Sequence, residues 1–432
     1  MNFYNLKHKE EQLNFKEATI KGQGKDKGLF FPEDISKFSP EFLKNLPNLS
    51  DEEIAYQVMK DFAGDEIPEA ELRKIVAETI AFEIPLKKVT ENISVLELFH
   101  GPTLAFKDVG ARFMSRCLGY FLKNETRKVT VLVATSGDTG GAVANGFYDV
   151  EGIEVVILYP KNRVSPVQEK QLTALGKNIH ALEVNGSFDD CQALVKQAFS
   201  DESLNEKLLL TSANSINVAR WLPQQIYYVL ALKQWLKNNS ENPVICVPSG
   251  NFGNICAGIL AHHRGLPVEH FIAACNVNDV VPEYLRTEIL KPKETVATIS
   301  NAMDVGDPSN FVRILELFDK EFNQVKNKLS GYTIDDEETL KTIERVEKDY
   351  GYVLDPHGAV AFVALEKYLA ENGGKGFFLE TAHPVKFPDS VEKATGKSVE
   401  IPKSLEELMR QEKFTTEINP QYEELKEFLL KK

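Results

Sequence analysis

A lysine at the end of a short apolar run is the first residue with an evident chemical use. Lys107 follows Leu104, Ala105 and Phe106 and precedes Asp108. Burial of an amine among apolar groups lowers its pKa and frees its lone pair to attack a carbonyl carbon. Most lysines are solvated surface charges, so this interpretation depends on what else the sequence contains.

A loop of glycines and small polar residues joins the apolar run Val244–Val247 to a predicted helix from Ile255 to His263. Free backbone amides and the partial positive charge of a helix N-terminus would suit this loop to a phosphate. It is neither a Walker A loop nor a GxGxxG loop, and a capped strand–helix turn would have the same composition. Its candidate residues are Ser249, Gly250, Asn251, Phe252, Gly253 and Asn254.

A second loop of this kind, Thr135–Gly141, follows a predicted strand from Val129 to Thr135. Two anion-type loops on one chain are more informative than one, because a cofactor phosphate and a substrate carboxylate each need such a site. A capped turn remains an alternative here too. The polar candidates in this loop are Thr135, Ser136, Asp138 and Thr139.

Other polar residues also follow predicted strands. Asn214 and Arg220 come after one such strand, and the guanidinium of Arg220 could bind a phosphate, although surface arginines are more common. Thr381 follows the apolar run Phe377–Leu379. The histidines have no metal-ligand spacing, so we expect no metal site.

The segments between these residues predict the fold class. Amphipathic stretches alternate with five apolar runs, Val129–Thr135, Ile153–Tyr159, Leu208–Thr211, Val244–Val247 and Phe271–Ala274. This alternation predicts an α/β protein with mostly parallel sheets covered by helices on both faces. Ligands of such sheets bind beyond the carboxyl ends of the strands, where the candidate residues lie.

Several helices can be placed from their caps. Ser165, Pro166 and Gln168 form a predicted capping box. Thr333–Tyr350 is a predicted helix that ends at Gly351. The stretch up to about Ala81 is predicted to be mostly helical, and the last thirty residues to be a helix, a loop and a helix.

Composition restricts the class of protein. The chain has 432 residues, too many for one core, so two or three domains are expected. A net charge of −14 argues against a nucleic-acid partner, and no apolar run reaches the length of a membrane span. Five scattered cysteines without a CxxC pair, and a start without a signal peptide, lead us to expect a reducing cytoplasm.

Seven longer segments are specific enough to compare with known families, namely LELFHGPTLAFKD, ATSGDTGGAVA, SPVQEKQ, SANSIN, PSGNFGN, NVND and ETAHPVKFP. Together they resemble the threonine synthases, a family of fold-type-II pyridoxal-phosphate enzymes. The resemblance covers nearly the whole chain and is to the longer bacterial and fungal kind, which has an extra N-terminal domain.

The resemblance implies a role for each candidate. Lys107 would be the Schiff-base lysine, the loop Ser249–Asn254 would bind the cofactor phosphate, and Thr381 would face the pyridine nitrogen. The loop from Thr135 to Thr139 would bind the substrate carboxylate. Asn214 and Arg220 are further candidates for substrate binding.

The implied reaction converts O-phospho-L-homoserine and water to L-threonine and phosphate. The implied fold has two open, mostly parallel α/β domains and a helical N-terminal domain. We predict boundaries at 1–81 for the N-terminal domain, 82–128 with 205–432 for the large cofactor-binding domain, and 129–204 for the smaller domain. The sequence leaves open whether the chain acts as a monomer or a homodimer.

Two other functions fit parts of the sequence. A threonine or serine dehydratase of the same fold would share the lysine and both loops, but it would need no cations for a substrate phosphate. A nucleotide- or anion-binding module without chemistry would use the same glycine loops and would give Lys107 no role.

Overall fold

The computed structural model describes residues 1–123 and 128–431. The strands in these ranges are short, and five of the fourteen are buried along their whole length. They are β1 (Asn2–Asn5), β2 (Gln12–Asn14), β3 (Phe30–Pro32), β4 (Leu86–Lys88), β5 (Ile93–Glu97), β6 (Val129–Ala134), β7 (Ile153–Pro160), β8 (Ile179–Val184), β9 (Leu209–Thr211), β10 (Val244–Pro248), β11 (His270–Cys275), β12 (Leu329–Thr333), β13 (Gly376–Glu380) and β14 (Thr415–Ile418).

Helices connect most of these strands. They are α1 (Phe15–Lys21), α2 (Pro40–Asn45), α3 (Asp51–Ala63), α4 (Glu69–Thr79), α5 (Lys107–Leu122), α6 (Asp138–Phe147), α7 (Pro166–Thr173), α8 (Phe188–Ser200), α9 (Glu202–Asn205), α10 (Val218–Trp221), α11 (Gln225–Trp235), α12 (Gly253–His263), α13 (Val280–Thr287), α14 (Phe311–Leu317), α15 (Phe322–Lys328), α16 (Asp336–Tyr350), α17 (Pro356–Asn372), α18 (Pro388–Thr395), α19 (Lys403–Arg410) and α20 (Tyr422–Leu430).

The chain forms two compact units, each assembled from separated segments. Unit 1 contains Met1, Phe31–Phe106 and Trp221–Glu400. Unit 2 contains Asn2–Phe30, Lys107–Arg220 and Ile401–Lys432. The three-domain division predicted from the sequence groups the segments differently and stays a prediction.

Unit 1 is built on a six-stranded sheet with the order β12-β11-β10-β13-β5-β4. Neighbouring strands are parallel except for β4, which pairs antiparallel with β5. The central strands β10, β11 and β13 are buried along their whole length, as expected for a parallel sheet with helices on both faces. Helix α17 packs on one face and contributes apolar side chains to this core.

Unit 2 is built on a five-stranded, all-parallel sheet with the order β14-β8-β7-β6-β9. Its core includes apolar residues of β6, β7 and α8, together with Leu425 and Leu429 of α20. The C-terminal helix therefore completes a core whose members in β6, β7 and α8 lie more than two hundred residues earlier in the chain.

The α/β class and the mostly parallel sheets predicted from the sequence are confirmed. All five apolar runs are strands, and the predicted capping box is present, with the Ser165 oxygen accepting from the Gln168 amide and the Gln168 side chain accepting from the Ser165 amide. Helix α16 ends at Gly351, whose φ of 66° is typical of a helix C-terminus.

Two expectations about the chain ends were incomplete. The first stretch is mostly helical, as predicted, but β1, β2 and β3 also form a small sheet there. The last thirty residues contain the strand β14 between two helices. Three of the four β14 residues are exposed, so this edge strand lacks the buried apolar run by which the other strands were found.

None of the helices in residues 1–123 and 128–431 is both long and apolar enough to cross a membrane.

A buried arginine fixes the end of α12 within unit 1. The guanidinium of Arg264 donates to the Asp61 carboxylate at 2.6 Å and to the Val58 carbonyl at 2.7 Å, both on α3. It also lies over the rings of Phe38 and Phe62, 4.2 and 4.8 Å from their centres. Cation–π contacts and charge-assisted hydrogen bonds together compensate for the burial of this charge.

Replacing Arg264 should therefore destabilise unit 1. The Arg264→Met variant leaves Asp61 and the Val58 carbonyl without their donor, so we expect a loss of about 3 to 5 kcal/mol in the free energy of unfolding. Lys233→Met is the matched control, because it removes the more exposed ion pair with Asp51 of the same helix and should cost less than about 1 kcal/mol. Urea unfolding measures both, and equal losses would contradict the assigned role.

Candidate active site

The carboxyl edge of the unit 1 sheet brings three candidate segments together. Strands β5, β13 and β10 are adjacent and parallel, so the residues that follow them leave the sheet at one edge. These residues are the segment from Leu98 to Phe106, then Thr381, and the loop Ser249–Asn254.

The loop Ser249–Asn254 is held by its own polar side chains. The Ser249 amide donates to the Ala274 carbonyl at 2.8 Å, and the Asn254 side chain donates to the Pro248 carbonyl at 2.8 Å. Phe252 caps α12 in the left-handed region, with a φ of 62°. The first amides of a helix have no partner inside it, so this turn presents donors and a partial positive charge to an anion.

Gly250 is required by a close contact with another backbone segment. A Cβ atom at Gly250 would lie 2.7 Å from the Cα of Met303 and 2.9 Å from the Ala302 carbonyl oxygen. A second contact is made by Asn251, whose side-chain oxygen accepts from the Ser309 amide at 2.7 Å. The chain around residue 300 thus supports the loop from within unit 1.

Thr381 is buried, yet its hydroxyl makes no hydrogen bond to any residue in the described ranges. Its carbonyl accepts from the Phe106 amide at 2.9 Å, and an isolated bridge joins the neighbouring pair Ala105 and Ala382. These bonds fix the chain that leads directly into Lys107. Leu104, in the same segment, has a φ of 57°, a strained conformation for a residue with a side chain.

Glu380 precedes Thr381, but its carboxyl group faces the first turn of α17. One oxygen accepts from the Asp355 amide at 2.6 Å, and the other has no hydrogen-bond partner among the described residues. Burial, together with the negative charges of Asp355 and Glu97, raises the pKa of Glu380 well above its usual value. Folding therefore disfavours the ionised form of Glu380.

Glu97, at the end of β5, is a buried carboxylate with partners. His100 contacts one of its oxygens at 2.6 Å and Lys87 contacts the same oxygen at 2.8 Å, while Tyr352 donates to the other at 3.0 Å. Burial favours the neutral form, but these hydrogen bonds outweigh it and lower the pKa of Glu97. The pKa values of two carboxyl groups at the same sheet edge are thus shifted in opposite directions.

Lys107 is the first residue of α5 in unit 2, and its side chain is mostly buried. Its Nζ lies 4.0 Å from the Asp138 carboxylate, which also accepts from the Gln168 side chain at 2.9 Å. The capping-box glutamine of α7 thereby orients the carboxylate beside the lysine. The sequence identified Gln168 only as a cap.

The hydroxyls of the loop Thr135–Gly141 have different uses. The Thr135 oxygen accepts from the amides of Gly137 and Gly140, both at 2.9 Å, and so shapes the loop itself. Ser136 and Thr139 are partly exposed, and their hydroxyls form no hydrogen bond with the part of the chain that the structure describes. Thr135 thus has a structural use that Ser136 and Thr139 do not share.

In unit 2, Arg220 is buried and Asn214 is partly buried. The side-chain oxygen of Asn214 has no hydrogen-bond partner within residues 1–123 and 128–431. Arg220 donates to the Ala213 carbonyl. Burial lowers its pKa to about 10, against the opposing effect of Asp108, so the guanidinium is charged at neutral pH.

Four polar residues of unit 1 were not predicted from the sequence, namely the buried Glu97, Asp355 and His357 and the partly buried Asp304. None belongs to a glycine loop. The only available signal was the Asp355-Pro356 pair, which is typical of a helix start and does cap α17. Across residues 1–123 and 128–431, no cluster of His, Cys, Asp and Glu side chains could hold a metal ion.

These residues fit pyridoxal phosphate. The amide-rich turn before α12 suits its phosphate, and the Thr381 hydroxyl, buried without a hydrogen bond inside the described chain, suits a ring nitrogen. A mostly buried amine on Lys107 suits its aldehyde.

Comparison with known proteins identifies the family. A family model described as pyridoxal-phosphate dependent enzyme matches residues 80–377, and models for the N terminus and the C-terminal part of threonine synthase match residues 2–80 and 358–429. Threonine synthase from Haemophilus influenzae is 45% identical over 431 residues, which cover 100% of each chain.

Two crystal structures extend the comparison. Threonine synthase from Escherichia coli has a TM-score of 0.93 and 45% identity, with 100% of both chains covered. A threonine synthase from Brucella melitensis, with pyridoxal phosphate bound, has a TM-score of 0.93 and 35% identity over 99% of this chain and 98% of that one. The chain therefore belongs to the threonine synthase family of pyridoxal-phosphate-dependent enzymes.

Proposed function

We propose that this enzyme converts O-phospho-L-homoserine and water to L-threonine and phosphate. The observation that carries the proposal is the full-length similarity to threonine synthases, including 45% identity to the Haemophilus influenzae protein. The chain is a lyase that depends on pyridoxal phosphate and acts on a small molecule. Five buried free cysteines support the cytoplasm as its proposed location.

In this proposal, the cofactor is held by the glycine-containing loop before α12, by Thr381 and by Lys107. The loop Ser249–Asn254 and the first amides of α12 bind its phosphate. Thr381 donates or accepts a hydrogen bond at the ring nitrogen, and Lys107 holds the aldehyde carbon covalently. When bound, pyridoxal phosphate supplies the electron sink that acidifies the substrate carbons.

Lys107 is also the proposed proton carrier. Once substrate has displaced it, its amine can accept and return protons at the α- and β-carbons of the substrate. Asp138, 4.0 Å from Nζ and held by Gln168, attracts the amine and limits where it can move. In this proposal, the base of the reaction is therefore held in place before the substrate reacts.

The substrate ligands are proposed from the remaining polar groups of unit 2. Ser136 and Thr139 donate to the substrate carboxylate from the loop that Thr135 and Asp138 keep in shape. Asn214 and the charged guanidinium of Arg220 are the proposed ligands of the substrate phosphate.

Release of inorganic phosphate separates this proposal from its nearest rival. A dehydratase of the same fold would act on serine or threonine and release ammonia. Phosphate release from O-phospho-L-homoserine, without ammonia release from serine, is therefore the expected result of a paired assay. Ammonia release from serine as the faster reaction would contradict the proposal.

The first prediction concerns Lys107. The Lys107→Ala variant should keep its fold, lose the visible absorbance of bound cofactor and lose nearly all turnover, because no other amine takes this role. After borohydride reduction of the wild type, mass spectrometry should find the cofactor on the peptide that contains Lys107. Lys128→Ala, at an exposed lysine of unit 2, is the control and should keep full activity. An adduct on a different lysine would disprove the assignment.

The second prediction concerns the ring nitrogen. Thr381→Val keeps the shape of the side chain but removes the hydroxyl, so kcat should fall about 10-fold while the cofactor absorbance remains. Thr381→Ser keeps a hydroxyl and is the matched control, with activity near that of the wild type. A valine variant as active as the serine variant would show that the hydroxyl has no role.

The third prediction concerns the acid next to Thr381. The pKa of Glu380 is raised in the folded protein, whereas the unfolded chain ionises this carboxyl group above about pH 4.3. The wild type therefore loses stability as the pH rises from there towards the folded pKa, by up to about 1.4 kcal/mol per pH unit. Glu380→Gln cannot ionise, so its stability relative to the wild type should increase as the pH rises above about 4.3.

Thermal or urea unfolding across this pH range measures the difference. Glu97→Gln is the control of opposite sign, because the lowered pKa of Glu97 stabilises the fold above its unfolded pKa. This variant should be less stable than the wild type at neutral pH and approach it as the pH falls. A stability difference for Glu380→Gln that does not change with pH would mean that Glu380 is ionised in the fold.

A further inference from the structure

The proposed phosphate loop depends on a neighbouring piece of chain, Thr298–Asp304, which we call the bracing segment. Its backbone at Ala302 and Met303 would lie less than 3.0 Å from a Cβ at Gly250, so the two backbones are in direct contact. A shift of the bracing segment by a few tenths of an ångström would therefore move the loop or open a gap beside it.

The two ends of the bracing segment are joined by an amide–carboxylate network. The Asp304 carboxylate accepts from the Thr298 hydroxyl at 2.7 Å, from the Thr298 amide at 2.9 Å and from the Asn276 side chain at 2.8 Å. Asn278 accepts from the Val296 amide at 2.8 Å. The two asparagines of the NVND motif, to which no cofactor or substrate role was assigned, therefore have a structural role in this network.

The middle of the bracing segment is held by one histidine. The Ala302 amide donates to Nε2 of His357 at 3.1 Å, and Nδ1 of the same ring lies 3.0 Å from the Asp355 carboxylate. A backbone N–H can only donate, so Nε2 must be unprotonated and Nδ1 must carry the proton. The Asp355 carboxylate is the acceptor that selects this tautomer.

The position of the ring is itself fixed. His357 is in the first turn of α17 and only 2% exposed, and the Phe387 ring lies 4.8 Å from it, edge to face. Asp355 caps α17 by accepting from the Gly358 amide at 2.6 Å with its other oxygen. The rigid start of a buried helix thus carries the acceptor for Ala302.

We propose that His357 is a positioning residue for the cofactor-binding loop, acting as an Nδ1-protonated acceptor that holds Ala302 and its neighbours against Gly250. The proposal rests on the proposed function, because the role of the loop as the phosphate site is itself a proposal. Asp355 acts through His357 by fixing its tautomer. Neither residue needs to touch the cofactor.

Two substitutions at His357 separate the hydrogen bond from the packing. His357→Leu removes the acceptor and leaves the Ala302 amide buried without a partner, so the affinity for pyridoxal phosphate should fall about 10-fold. His357→Gln offers an amide oxygen near the position of Nε2 and should bind the cofactor within about threefold of the wild type. Absorbance titration of the cofactor-free protein with pyridoxal phosphate measures both affinities.

Asp355→Asn tests the tautomer. The asparagine oxygen can still cap α17, but its NH₂ group would donate to Nδ1 and move the ring proton to Nε2, where it opposes the Ala302 amide. This variant should therefore weaken cofactor binding as much as His357→Leu does, with little change in the thermal unfolding midpoint. Asp355→Asn therefore still tests the proposal if His357→Leu does not fold.

Hydrogen exchange of the cofactor-free protein gives a second readout that does not depend on activity. Peptides covering the bracing segment should exchange faster in His357→Leu and Asp355→Asn than in the wild type and in His357→Gln. His270→Leu is the matched control: His270 is a buried histidine of unit 1 at the amino end of β11, where it contacts Ser330. This control should change neither the exchange of the bracing segment nor the cofactor affinity.

Wild-type cofactor affinity and exchange in His357→Leu would overturn the inference, and so would a glutamine variant as impaired as the leucine variant. A wild-type protein that binds no pyridoxal phosphate would instead refute the proposed function. In that case, faster exchange in the leucine variant alone would still support the positioning of the bracing segment by His357.

Discussion

Parallel pairing of β5, β13 and β10 is the constraint on which the unit 1 site depends. Parallel strands place all their carboxyl ends at one edge of a sheet, so segments that are distant in the chain become neighbours there. The loop before α12, the hydroxyl of Thr381 and the segment that leads to Lys107 all begin at this edge. Their chemistry follows from strand order more than from any single side chain.

Buried polar groups then give this edge its electrostatic character. Three partners lower the pKa of Glu97, whereas burial and the charges of Asp355 and Glu97 raise the pKa of Glu380. Negative charge is therefore disfavoured at the residue next to Thr381.

The elements that could be predicted from the sequence are those that depend on local composition. Strands buried on both faces, such as β6 and β10, are visible as apolar runs, and α16 and α7 are visible through their caps. The resemblance to a family assigned Lys107 and the loop Ser249–Asn254. Edge strand β14 and the contact between His357 and Ala302 could not be found, because the first has exposed residues and the second joins positions 55 residues apart.

The interleaving of the two units has a consequence for folding on the ribosome. Strand β14 pairs with β8 and α20 packs on α8, so unit 2 cannot complete its sheet until the last segment of the chain has been synthesised. The sheet of unit 1 likewise cannot form completely until β13 has been synthesised, because β13 lies between β10 and β5. Pairing over such long separations closes large loops and slows folding. Nascent chains of this enzyme therefore expose unpaired strand edges for most of their synthesis, which is the condition in which chaperones bind and aggregation begins.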